Sequence, residues 1–373
     1  MLLRRLGRRR ITVSAALIVK NEANHLPDCL ASLDGIVDEI IVVDTGSSDT
    51  SRELAVAAGA VLDEIVWPED FAAARNHALE RCTGDWILYI DADERLRPID
   101  PDRLRSALSG RSDIGATLNL HARTGHDAYR ELRLFRNHPQ IRFRGVIHET
   151  IWPGIEALML SEGSTIAETE AVLDHVGYDG PQEHKHPRNL PLLRKALAQD
   201  PDHVYCWWHL GATLVEMGEI EAGRDAWYES VAALGRVGVR RPADSLAFIA
   251  LLNPPRGAAD ANEALFEQAL TAFPADPMLR WLRGRFLLEA DRQAEAIDVL
   301  SALLTEIRAD GLSRDFGYDE TTFGSGLHGL LGRAYHDLGQ HTFAATHFAE
   351  AEIADPTNLE FRARRVLSEH LST

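Results

Sequence analysis

The first hundred residues alternate between short apolar runs and amphipathic segments. The apolar runs predict strands at Val13–Val19, 39–43, 61–66 and 86–90, and the intervening segments predict helices at 22–33, 50–58 and 71–82. Short apolar strands separated by helices are typical of a parallel sheet with helices on its faces. The first part of the chain is therefore predicted to be an α/β domain.

Residues that commonly begin or end helices support these boundaries. Asp49 and Asp70 stand where an N-cap would accept hydrogen bonds from the first backbone N–H groups of the second and third helices. Gly59 and Gly84 stand where left-handed C-terminal caps usually occur. These signals are local, and they predict the helix boundaries independently of any motif.

The pattern changes twice farther along the chain. Residues 110–178 are irregular and favour strands, best at 116–121, 130–135 and 171–176. From residue 185 onward only helices are predicted, and a linker is expected near 179–181. We expect a basic arm at 1–10, an α/β domain at 11–180 and an all-α domain at 185–373.

The helical part contains a repeat of about 34 residues, the length of a tetratricopeptide unit. In such units a small residue on one helix lets a large residue of the next helix pack closely. The units are centred on Gly211, Ala250, Gly284 and Gly332, with insertions predicted around 236–241 and 308–323. The alternative is an unrelated helical bundle in which these small residues recur by chance.

Composition narrows the class of protein. The chain has 373 residues, 45% of them apolar and 26% charged, as in an ordinary globular protein of two domains. Its 39 basic and 57 acidic residues give a net charge of −18, and without the five arginines of residues 1–10 the balance is −23. A protein with this net negative charge should repel nucleic acid, which argues against a nucleic-acid partner.

The first residues and the cysteines suggest a location. The arginine-rich arm 1–10 is not followed by an uninterrupted apolar run long enough for a signal peptide or a membrane span. We therefore interpret it as a solvated tail or an over-long start rather than as a membrane-surface anchor. Cys29, Cys82 and Cys206 are odd in number and lack CxxC spacing. We therefore expect a cytoplasmic protein whose thiols are packing residues.

Polar residues follow three of the predicted parallel strands. They are Lys20 and Glu22 after the first strand, Asp44-Thr45-Gly46-Ser47 after the second, and Asp91-Ala92-Asp93-Glu94 after the fourth. Ligands bind beyond the carboxyl ends of strands in open parallel sheets, so these segments should meet at one site. Asp91 and Asp93 point the same way in an extended segment and can share one divalent cation, although acidic pairs in such places are often solvated turns.

Two common nucleotide-binding motifs are missing after the predicted strands. Neither the GxGxxG fingerprint of dinucleotide-binding enzymes nor the GxxxxGK[ST] loop of P-loop enzymes follows any of them; the GxGxxG string at 324–329 lies in the helical part of the chain. A nucleotidyltransferase would need a glycine-rich basic loop near the first strand, and Lys20-Asn21-Glu22 is not one.

Four segments in order resemble the glycosyltransferases of family 2, which have the GT-A fold. They are Ala16-Leu-Ile-Val-Lys-Asn-Glu22, Glu39-Ile-Ile-Val-Val-Asp-Thr-Gly-Ser-Ser-Asp49, Phe71-Ala-Ala-Ala-Arg-Asn76 and Thr83-Gly-Asp-Trp-Ile-Leu-Tyr-Ile-Asp-Ala-Asp-Glu94. The chain is most similar to bacterial members that join this domain to tetratricopeptide repeats, among them the sublancin-type peptide S-glycosyltransferases. The resemblance covers residues 11–180 and implies a Rossmann-like mixed sheet followed by an all-α tetratricopeptide-like domain.

The resemblance implies a pocket for a nucleotide-sugar. Asp44 would contact the base or ribose, beside the turn Thr45 to Gly46 and Ser47, and Lys20 and Glu22 would line the same pocket. Many family members carry a second acid at the position of Thr45, so its absence leaves open how the base is recognised. Arg75 would contact the diphosphate or the base, or would form a salt bridge with Asp70 or Glu69.

The resemblance also implies a metal. Asp91 and Asp93 would bind Mn²⁺ or Mg²⁺, which neutralises the charge that develops on the departing diphosphate. Asp91 would contact the nucleotide-sugar as well. His175 stands where a third ligand is expected, and the alternative is a histidine whose hydrogen bonds are satisfied within the fold.

An inverting transfer also requires a base for the acceptor's proton. In Phe143-Arg-Gly-Val-Ile-His148-Glu149, Glu149 matches the family's base, although it could instead pair with Arg144 or Arg142. Trp152 could stack on a sugar ring or serve as a packing residue.

The predicted function is an inverting glycosyltransferase that uses a nucleotide-sugar, with UDP the expected nucleotide. Its acceptor would be a peptide or protein held by the repeats, or a cell-envelope glycan or lipid precursor. The alternative is a non-catalytic scaffold that retains a nucleotide-sugar-binding domain. The sequence leaves open whether the protein forms a homo-oligomer.

Overall fold

A computed structural model describes residues 10–122, 125–178, 185–253, 263–313 and 316–373. The chain divides into two compact units. The first contains the described residues before Gly125 together with residues 128–196, and the second contains Gly125–Asp127 and the described residues from Leu197 onward. The linker predicted at 179–181 and residues 1–9 of the predicted basic arm lie outside the described residues.

The first unit begins with four parallel strands, as predicted. The strands are β1 (Val13–Val19), β2 (Glu39–Asp44), β3 (Val61–Glu64) and β4 (Trp86–Tyr89), and the helices between them are α1 (Leu26–Leu33), α2 (Ser51–Ala57) and α3 (Phe71–Arg81). The strands lie in the order β3-β2-β1-β4. Helix α1 begins four positions later than the pattern predicted, directly before Pro27, which favours the first turn of a helix.

The second half of this unit adds strands of mixed direction. They are β5 (Glu94–Leu96), β6 (Asp113–His121), β7 (Tyr129–Arg136) and β8 (Thr165–His175), accompanied by α4 (Pro101–Ala107) and α5 (Trp152–Glu162). Strand β7 joins the parallel half by pairing antiparallel with β4, which makes one eight-stranded sheet, β3-β2-β1-β4-β7-β6-β8-β5. The three strands predicted here are confirmed, whereas β5, α4 and α5 were not predicted.

The sheet register decides which polar residues meet. Val19, the last residue of β1, pairs with Asp44, the last residue of β2. Strand β4 lies on the other side of β1 and runs in the same direction. The short strand β5 pairs antiparallel with β8, which places Glu94 opposite His175. The ends of β1, β2 and β4 therefore lie at one edge of the sheet, and the end of β8 lies beside the segment that follows β4.

Apolar side chains pack on both faces of the sheet. Leu17 of β1 and Leu88 of β4 belong to one buried cluster, and Ala16 of β1 and Ile87 of β4 belong to the cluster on the other face. Strand β1 is buried at nearly every position, as expected for a strand covered on both faces. Cys29, Cys82 and Cys206 are buried free thiols, which agrees with their predicted role as packing residues.

Two of the four predicted helix caps are confirmed. The Asp70 carboxylate accepts from Ala73 N at 2.9 Å, and Gly59 has φ +80°, so both predictions are confirmed. Asp49 accepts from Ser51 N at 3.0 Å, one residue outside the N-cap position of α2. The prediction for Gly84 is wrong, because this glycine is not left-handed; a Cβ there would lie 2.6 Å from Ser14 Oγ, so a close approach of two chain segments requires it.

Helix α6 (His186–Gln199) belongs to the first unit as far as Ala196, and the second unit consists of helix pairs. They are α7 (Val204–Glu216) with α8 (Ile220–Val237), α9 (Leu246–Leu252) with α10 (Glu263–Ala272), α11 (Pro277–Glu289) with α12 (Gln293–Asp310), and α13 (Leu327–Asp337) with α14 (His341–Ala354), followed by α15 (Leu359–Leu371). These pairs coincide with the predicted repeats. In the described part of the chain, no helix has the length and apolar character needed to cross a membrane.

Small residues explain why the repeats pack closely. A Cβ on Gly211 would lie 2.3 Å from the Trp227 ring, and one on Gly332 would lie 2.7 Å from the Phe348 ring. Both large rings are buried against the glycine of the preceding helix. The glycines that mark the repeat in the sequence are thus required by close contact between helices.

Candidate active site

A cavity of about 380 Å³ opens beside the carboxyl ends of the parallel strands. Seven of the predicted site residues line it, namely Lys20, Glu22, Thr45, Arg75, Asp91, Asp93 and His175. They come from segments that are far apart in the sequence, which is the arrangement expected at the edge of an open α/β sheet. The predicted residues Asp44, Gly46, Ser47 and Glu149 lie outside this lining, as does Trp152, whose surface is 43% exposed.

Asp44 organises the turn after β2. Its Oδ1 accepts hydrogen bonds from Gly46 N and Ser47 N, each at 2.9 Å. Its Oδ2 is buried and has no hydrogen-bond partner among the described residues. A buried carboxylate oxygen without a partner is costly, so this atom is suited to accept a hydrogen bond from a ligand.

Thr45 forms part of the cavity wall but uses its hydroxyl within the fold. The side chain is 4% exposed, and Oγ1 donates to Val19 O at 3.0 Å. An acid at this position would bring a second carboxylate next to Asp44 and to the Val19 carbonyl. The local hydrogen bond therefore explains how threonine is accommodated at this position.

The loops after β1 and β2 are tied together. Asn21 N donates to Ser47 Oγ at 2.9 Å, and Ser48 N donates to Asn21 Oδ1 at 2.7 Å. Asn21 has φ +59°, a left-handed conformation that asparagine tolerates better than most residues. This link places the neighbouring Lys20 and Glu22 at the cavity.

Glu22 is a carboxyl group of the cavity whose pKa is displaced from its usual value. Burial, reinforced by the negative charge of Asp93, raises the pKa of Glu22 to about 7, against the opposing effect of Lys185. Its carboxyl group therefore changes its ionisation at a much higher pH than an ordinary glutamate does.

Arg75 of α3 connects two of the predicted acids. Its Nη2 lies 2.8 Å from Asp91 Oδ1, and its Nε donates to Glu149 Oε1. The guanidinium also lies 5.4 Å from the centre of the Tyr89 ring. The sequence left open a salt bridge from Arg75 to Asp70 or Glu69. Arg75 does form salt bridges, but with Asp91 and Glu149, which the fold brings close to its side chain.

Glu149 lies in a tight loop. Arg144 and Thr150 exchange two backbone hydrogen bonds of 2.9 Å across it, and Gly145 and His148 have φ values of +104° and +54°. The Glu149 side chain is only 11% exposed and pairs with Arg75. Glu149 therefore pairs with Arg75 rather than with Arg144 or Arg142, the alternative partners considered from the sequence. Its predicted role as the base stays a prediction.

Asp91 and Asp93 have different surroundings. Burial alone would raise the pKa of Asp91, but the positive charges of Arg75 and Arg133 outweigh it and hold that pKa well below its usual range. Asp93 Oδ1 lies 3.7 Å from His175 Nε2. Burial lowers the pKa of His175 despite these carboxylates, which favours the neutral imidazole that binds metal ions.

The predicted metal ligands are therefore only partly assembled. Among the described residues there is no cluster of three or more His, Cys, Asp or Glu side chains arranged to hold a metal ion. Asp93 and His175 both line the cavity and offer an oxygen and a nitrogen, a donor set that suits Mn²⁺. Asp91 has one oxygen engaged by Arg75. The residues present thus fit a divalent ion held chiefly by Asp93 and His175.

Sequence reasoning missed a buried ion pair behind the cavity. Arg133 Nη2 lies 2.7 Å from Glu94 Oε1, and Glu94 Oε2 accepts from Asp91 N at 2.8 Å. Burial raises the pKa of Glu94 in spite of Arg133. Glu94 belongs to the acidic motif and could have been selected from it, whereas Arg133 carries no local signal, because its partners come from a distant part of the chain.

Two cations and two aromatic residues of the cavity were also missed. Lys185, directly before α6, and Arg188, in its first turn, line the cavity together with Trp67 and Phe71. The Arg188 guanidinium lies 5.1 Å from the centre of the Phe71 ring. The helical pattern alone assigns both cations to the domain that starts at 185, so it offers no reason to place them beside the strand ends.

The fold and this site define an α/β domain with a polar ligand cavity, followed by tetratricopeptide repeats, and the comparisons agree. Residues 14–151 match glycosyl transferase family 2, and residues 256–311 match a tetratricopeptide repeat. A tetratricopeptide repeat-containing protein of Synechococcus elongatus is 37% identical over 272 residues, covering 71% of this chain and 67% of that protein. The chain belongs to glycosyltransferase family 2 and carries tetratricopeptide repeats, so the predicted family and fold class are confirmed.

One further relative and one solved structure are less similar to this chain. The chain is 28% identical over 229 residues to SunS, a prophage-derived glycosyltransferase of Bacillus subtilis; the match covers 59% of this chain and about half of that protein, 53%. A crystal structure of glucosyl-3-phosphoglycerate synthase from Mycobacterium tuberculosis with Mn²⁺, UDP and glucosyl-3-phosphoglycerate is 18% identical, with a TM-score of 0.39, and covers 50% of this chain and 79% of that chain.

Proposed function

We propose that this protein is an inverting glycosyltransferase that transfers a sugar from a nucleotide-sugar, most simply a UDP-sugar, to an acceptor. The observation that supports this proposal is that residues selected from four separate motifs line one cavity at the strand ends. Asp44, Glu22 and Lys20 would hold the nucleotide part of the donor. The turn Thr45 to Ser47 would fix the position of Asp44 through its backbone N–H groups.

Asp93 and His175 would hold a divalent ion, with Asp91 nearby. When bound, such an ion supplies positive charge that neutralises the departing diphosphate. Arg75 would keep Asp91 ionised and correctly oriented through their 2.8 Å ion pair. These side chains therefore orient the leaving group and stabilise the charge that develops on it.

Glu149 would act as the base. In the proposed step, the acceptor's nucleophilic atom loses its proton to Glu149 and forms a bond to the anomeric carbon, while the bond from that carbon to the diphosphate oxygen breaks and the nucleoside diphosphate leaves. Arg75 would hold the Glu149 carboxylate in position through the ion pair between Arg75 Nε and Glu149 Oε1. A single displacement of this kind inverts the configuration at the anomeric carbon.

We propose that the acceptor is a peptide or protein held by the tetratricopeptide repeats, with a cell-envelope glycan as the alternative. Repeats of this type form extended surfaces that can bind extended peptides. The cytoplasm is the proposed place of the reaction, on the basis of the three free thiols.

The direct test is transfer or hydrolysis from a panel of nucleotide-sugars, with Mn²⁺, with Mg²⁺ and with a chelator. We expect turnover of one donor with a divalent ion, and a fall of about 100-fold or more in the variant Asp93→Asn. Asp102→Asn is the matched control, because Asp102 is exposed in the same unit. Failure of every donor to react, together with no effect of Asp93→Asn, would refute the proposed activity.

The engagement of both Asp91 and Glu149 by Arg75 favours one alternative, a nucleotide-binding scaffold without catalysis. Such a protein would bind UDP but would neither transfer nor hydrolyse any sugar of the panel. Calorimetry of UDP and GDP binding, run beside the activity assay, separates the two functions.

A further inference from the structure

Glu94 closes the turn 91–94, which carries two of the predicted metal ligands. Its backbone N donates to Asp91 O at 3.0 Å. Its side-chain Oε2 accepts from Asp91 N at 2.8 Å. Two hydrogen bonds from one residue therefore join the two ends of the turn, and they fix the backbone from which the side chains of Asp91 and Asp93 project.

Arg133 of β7 holds the Glu94 side chain in place. Its Nη2 lies 2.7 Å from Glu94 Oε1 and its Nη1 lies 3.2 Å from Glu94 Oε2, so both oxygens of the carboxylate are engaged. Glu94 is fully buried, and the Arg133 side chain is only 9% exposed. The planar, rigid fork of a guanidinium fixes both the position and the orientation of the carboxylate that it binds in this way.

Arg133 also contacts both sides of the point where the turn begins. Its guanidinium lies 4.6 Å from the centre of the ring of Tyr89, the last residue of β4. Its Nη1 lies 3.9 Å from Asp91 Oδ2. The other oxygen, Asp91 Oδ1, pairs at 2.8 Å with Arg75, which Glu149 shares. The Asp91 carboxylate thus lies between two arginines, and Arg133 is the one that also holds Glu94.

Stability alone does not require an ion pair at this place. Removing two charges from water has a desolvation cost, and apolar side chains of similar volume often give equal or greater stability. Arg133 Nε is moreover buried and has no hydrogen-bond partner among the described residues, which adds to the cost. What the ion pair provides, and apolar packing does not, is a defined position for the Glu94 carboxylate and for the turn that it closes.

We propose that Arg133 is a positioning residue that acts through Glu94: it sets where Asp91 and Asp93 lie, and so how tightly the site binds a divalent ion. The inference rests on the proposed function only for the metal, and its test needs no sugar donor. Side chains that orient metal ligands without touching the metal contribute roughly 10- to 100-fold to metal affinity. Loss of the Arg133 fork should therefore weaken metal binding by a factor in this range.

The test is the binding of Mn²⁺, measured with and without UDP from the electron paramagnetic resonance signal of the free ion. Arg133→Lys keeps the positive charge but loses the fork, and we expect it to weaken Mn²⁺ binding by roughly 10-fold or more. Arg136→Lys is the matched control on the same strand. The Arg136 guanidinium also makes two hydrogen bonds, but its partners, Asp113 O at 3.0 Å and Gly110 O at 2.8 Å, lie outside the turn. This control should bind Mn²⁺ like the wild type.

A paired apolar replacement separates positioning from a merely structural role. Arg133→Met alone leaves the Glu94 carboxylate buried without its partner, so both stability and Mn²⁺ binding should fall. Arg133→Met/Glu94→Met removes both charges, and its midpoint of urea denaturation should return toward that of the wild type. Its Mn²⁺ binding should stay weakened by roughly 10-fold or more, because no side chain then closes the turn. Recovery of Mn²⁺ binding together with stability would refute the proposal.

The proposal is also refuted if Arg133→Lys binds Mn²⁺ as tightly as the wild type, or if the wild type binds no Mn²⁺ with or without UDP. Circular dichroism checks folding, and Arg133→Lys decides alone if the methionine variants are unfolded. Metal binding and activity fail separately. Sugar transfer with unchanged Mn²⁺ binding in Arg133→Lys would refute only the role of Arg133, and weakened Mn²⁺ binding in that variant without turnover of any donor by the wild type would refute only the enzyme.

Discussion

The two units of this protein use their buried residues differently. In the α/β unit, charged side chains lie under the cavity: Arg75 joins Asp91 to Glu149, and Arg133 pairs with Glu94, which is fully buried. In the repeat unit, the corresponding interior positions pair glycine with a large ring, as Gly332 does with Phe348. Ion pairs organise the interior of the α/β unit, whereas close packing of glycines against large rings organises the interior of the repeat unit.

The two kinds of interior contribute differently to activity and to stability. Burying charges has a large desolvation cost, which ion pairs repay only in part, so such clusters are poor stabilisers but hold ionised groups in defined positions. Close packing of apolar side chains stabilises the fold without chemical specificity. Changes at the charged cluster should therefore alter activity most, and changes at the packed pairs should alter stability most.

The largest expected effect is on catalysis in the α/β unit. We expect Glu149→Gln to lower kcat by about 10²- to 10⁴-fold, the range for loss of a general base, while UDP still binds. The measurement is steady-state kinetics with the active donor, together with calorimetry of UDP. Glu156→Gln, an exposed position on α5, is the control and should keep full activity. Full activity of Glu149→Gln would exclude Glu149 as the base.

The next effect concerns stability in the repeat unit. We expect Phe348→Ala to lower the free energy of unfolding by about 3–5 kcal/mol, because it leaves a cavity beside Gly332 that the helices cannot close. Phe343→Ala on the same helix removes a ring that is 58% exposed and should cost less than about 1 kcal/mol. Urea denaturation measures both. Equal losses in the two variants would contradict the packing account of the repeats.

A smaller effect tests how the α/β unit positions Asp93. A Cβ on Gly177 would lie 1.9 Å from Asp93 Oδ2, so Gly177→Ala must displace that carboxylate. We expect kcat/KM to fall by roughly 10- to 100-fold and the Mn²⁺ concentration for half-maximal activity to rise, since small misplacements of active groups are costly. The control is Gly235→Ala, where a Cβ has open space. An unchanged Mn²⁺ requirement would show that the position of Asp93 does not matter.

The smallest effect is a dependence of stability on pH. Glu22 has an ordinary pKa of 4.5, raised to about 7 in the folded protein by burial and by Asp93, with Asp91 adding to the shift and Lys185 and Arg188 opposing it. The folded state therefore binds more protons than the unfolded state between these values, and Glu22 lowers stability progressively as pH rises from about 4.5 to about 7.

Thermal unfolding at pH 5 and pH 8, in a chelator, measures this effect. Glu22→Gln should be more stable than wild type at pH 8, and the difference should nearly disappear at pH 5. Glu80→Gln, an exposed position on α3, should show no such trend. A difference that grows toward pH 5 would have the wrong sign and would contradict the raised pKa.

The parts of the fold that depend on local sequence patterns were predictable. The four parallel strands, the Asp70 cap and the repeat glycines all depend on neighbours within one or two turns or on a fixed spacing. Short elements were not: β5 has three residues and exists because it pairs with β8. Gly84 was misread because its role depends on Ser14, a residue of another strand.

Part of the candidate site was predictable from the sequence, but the ion pairs of Arg75 were not. The motifs selected Asp91, Arg75 and Glu149, yet they did not indicate that Arg75 joins the other two. Arg133 and Arg188 had no motif at all. The boundary at 180–185 and the roles of the site residues stay predictions until they are measured.

By itself, the sequence determined the four parallel strands with their intervening helices, the family, the repeat spacing and most of the polar residues at the strand ends, because each of these follows short periodic patterns or contiguous motifs. Only the tertiary structure decided which charges meet. Arg75 joins Asp91 to Glu149, Arg133 pairs with Glu94, and Arg188 of α6 lies beside the strand ends. Such pairs join residues far apart in the chain, and the sheet register and helix docking that bring them together leave no local pattern.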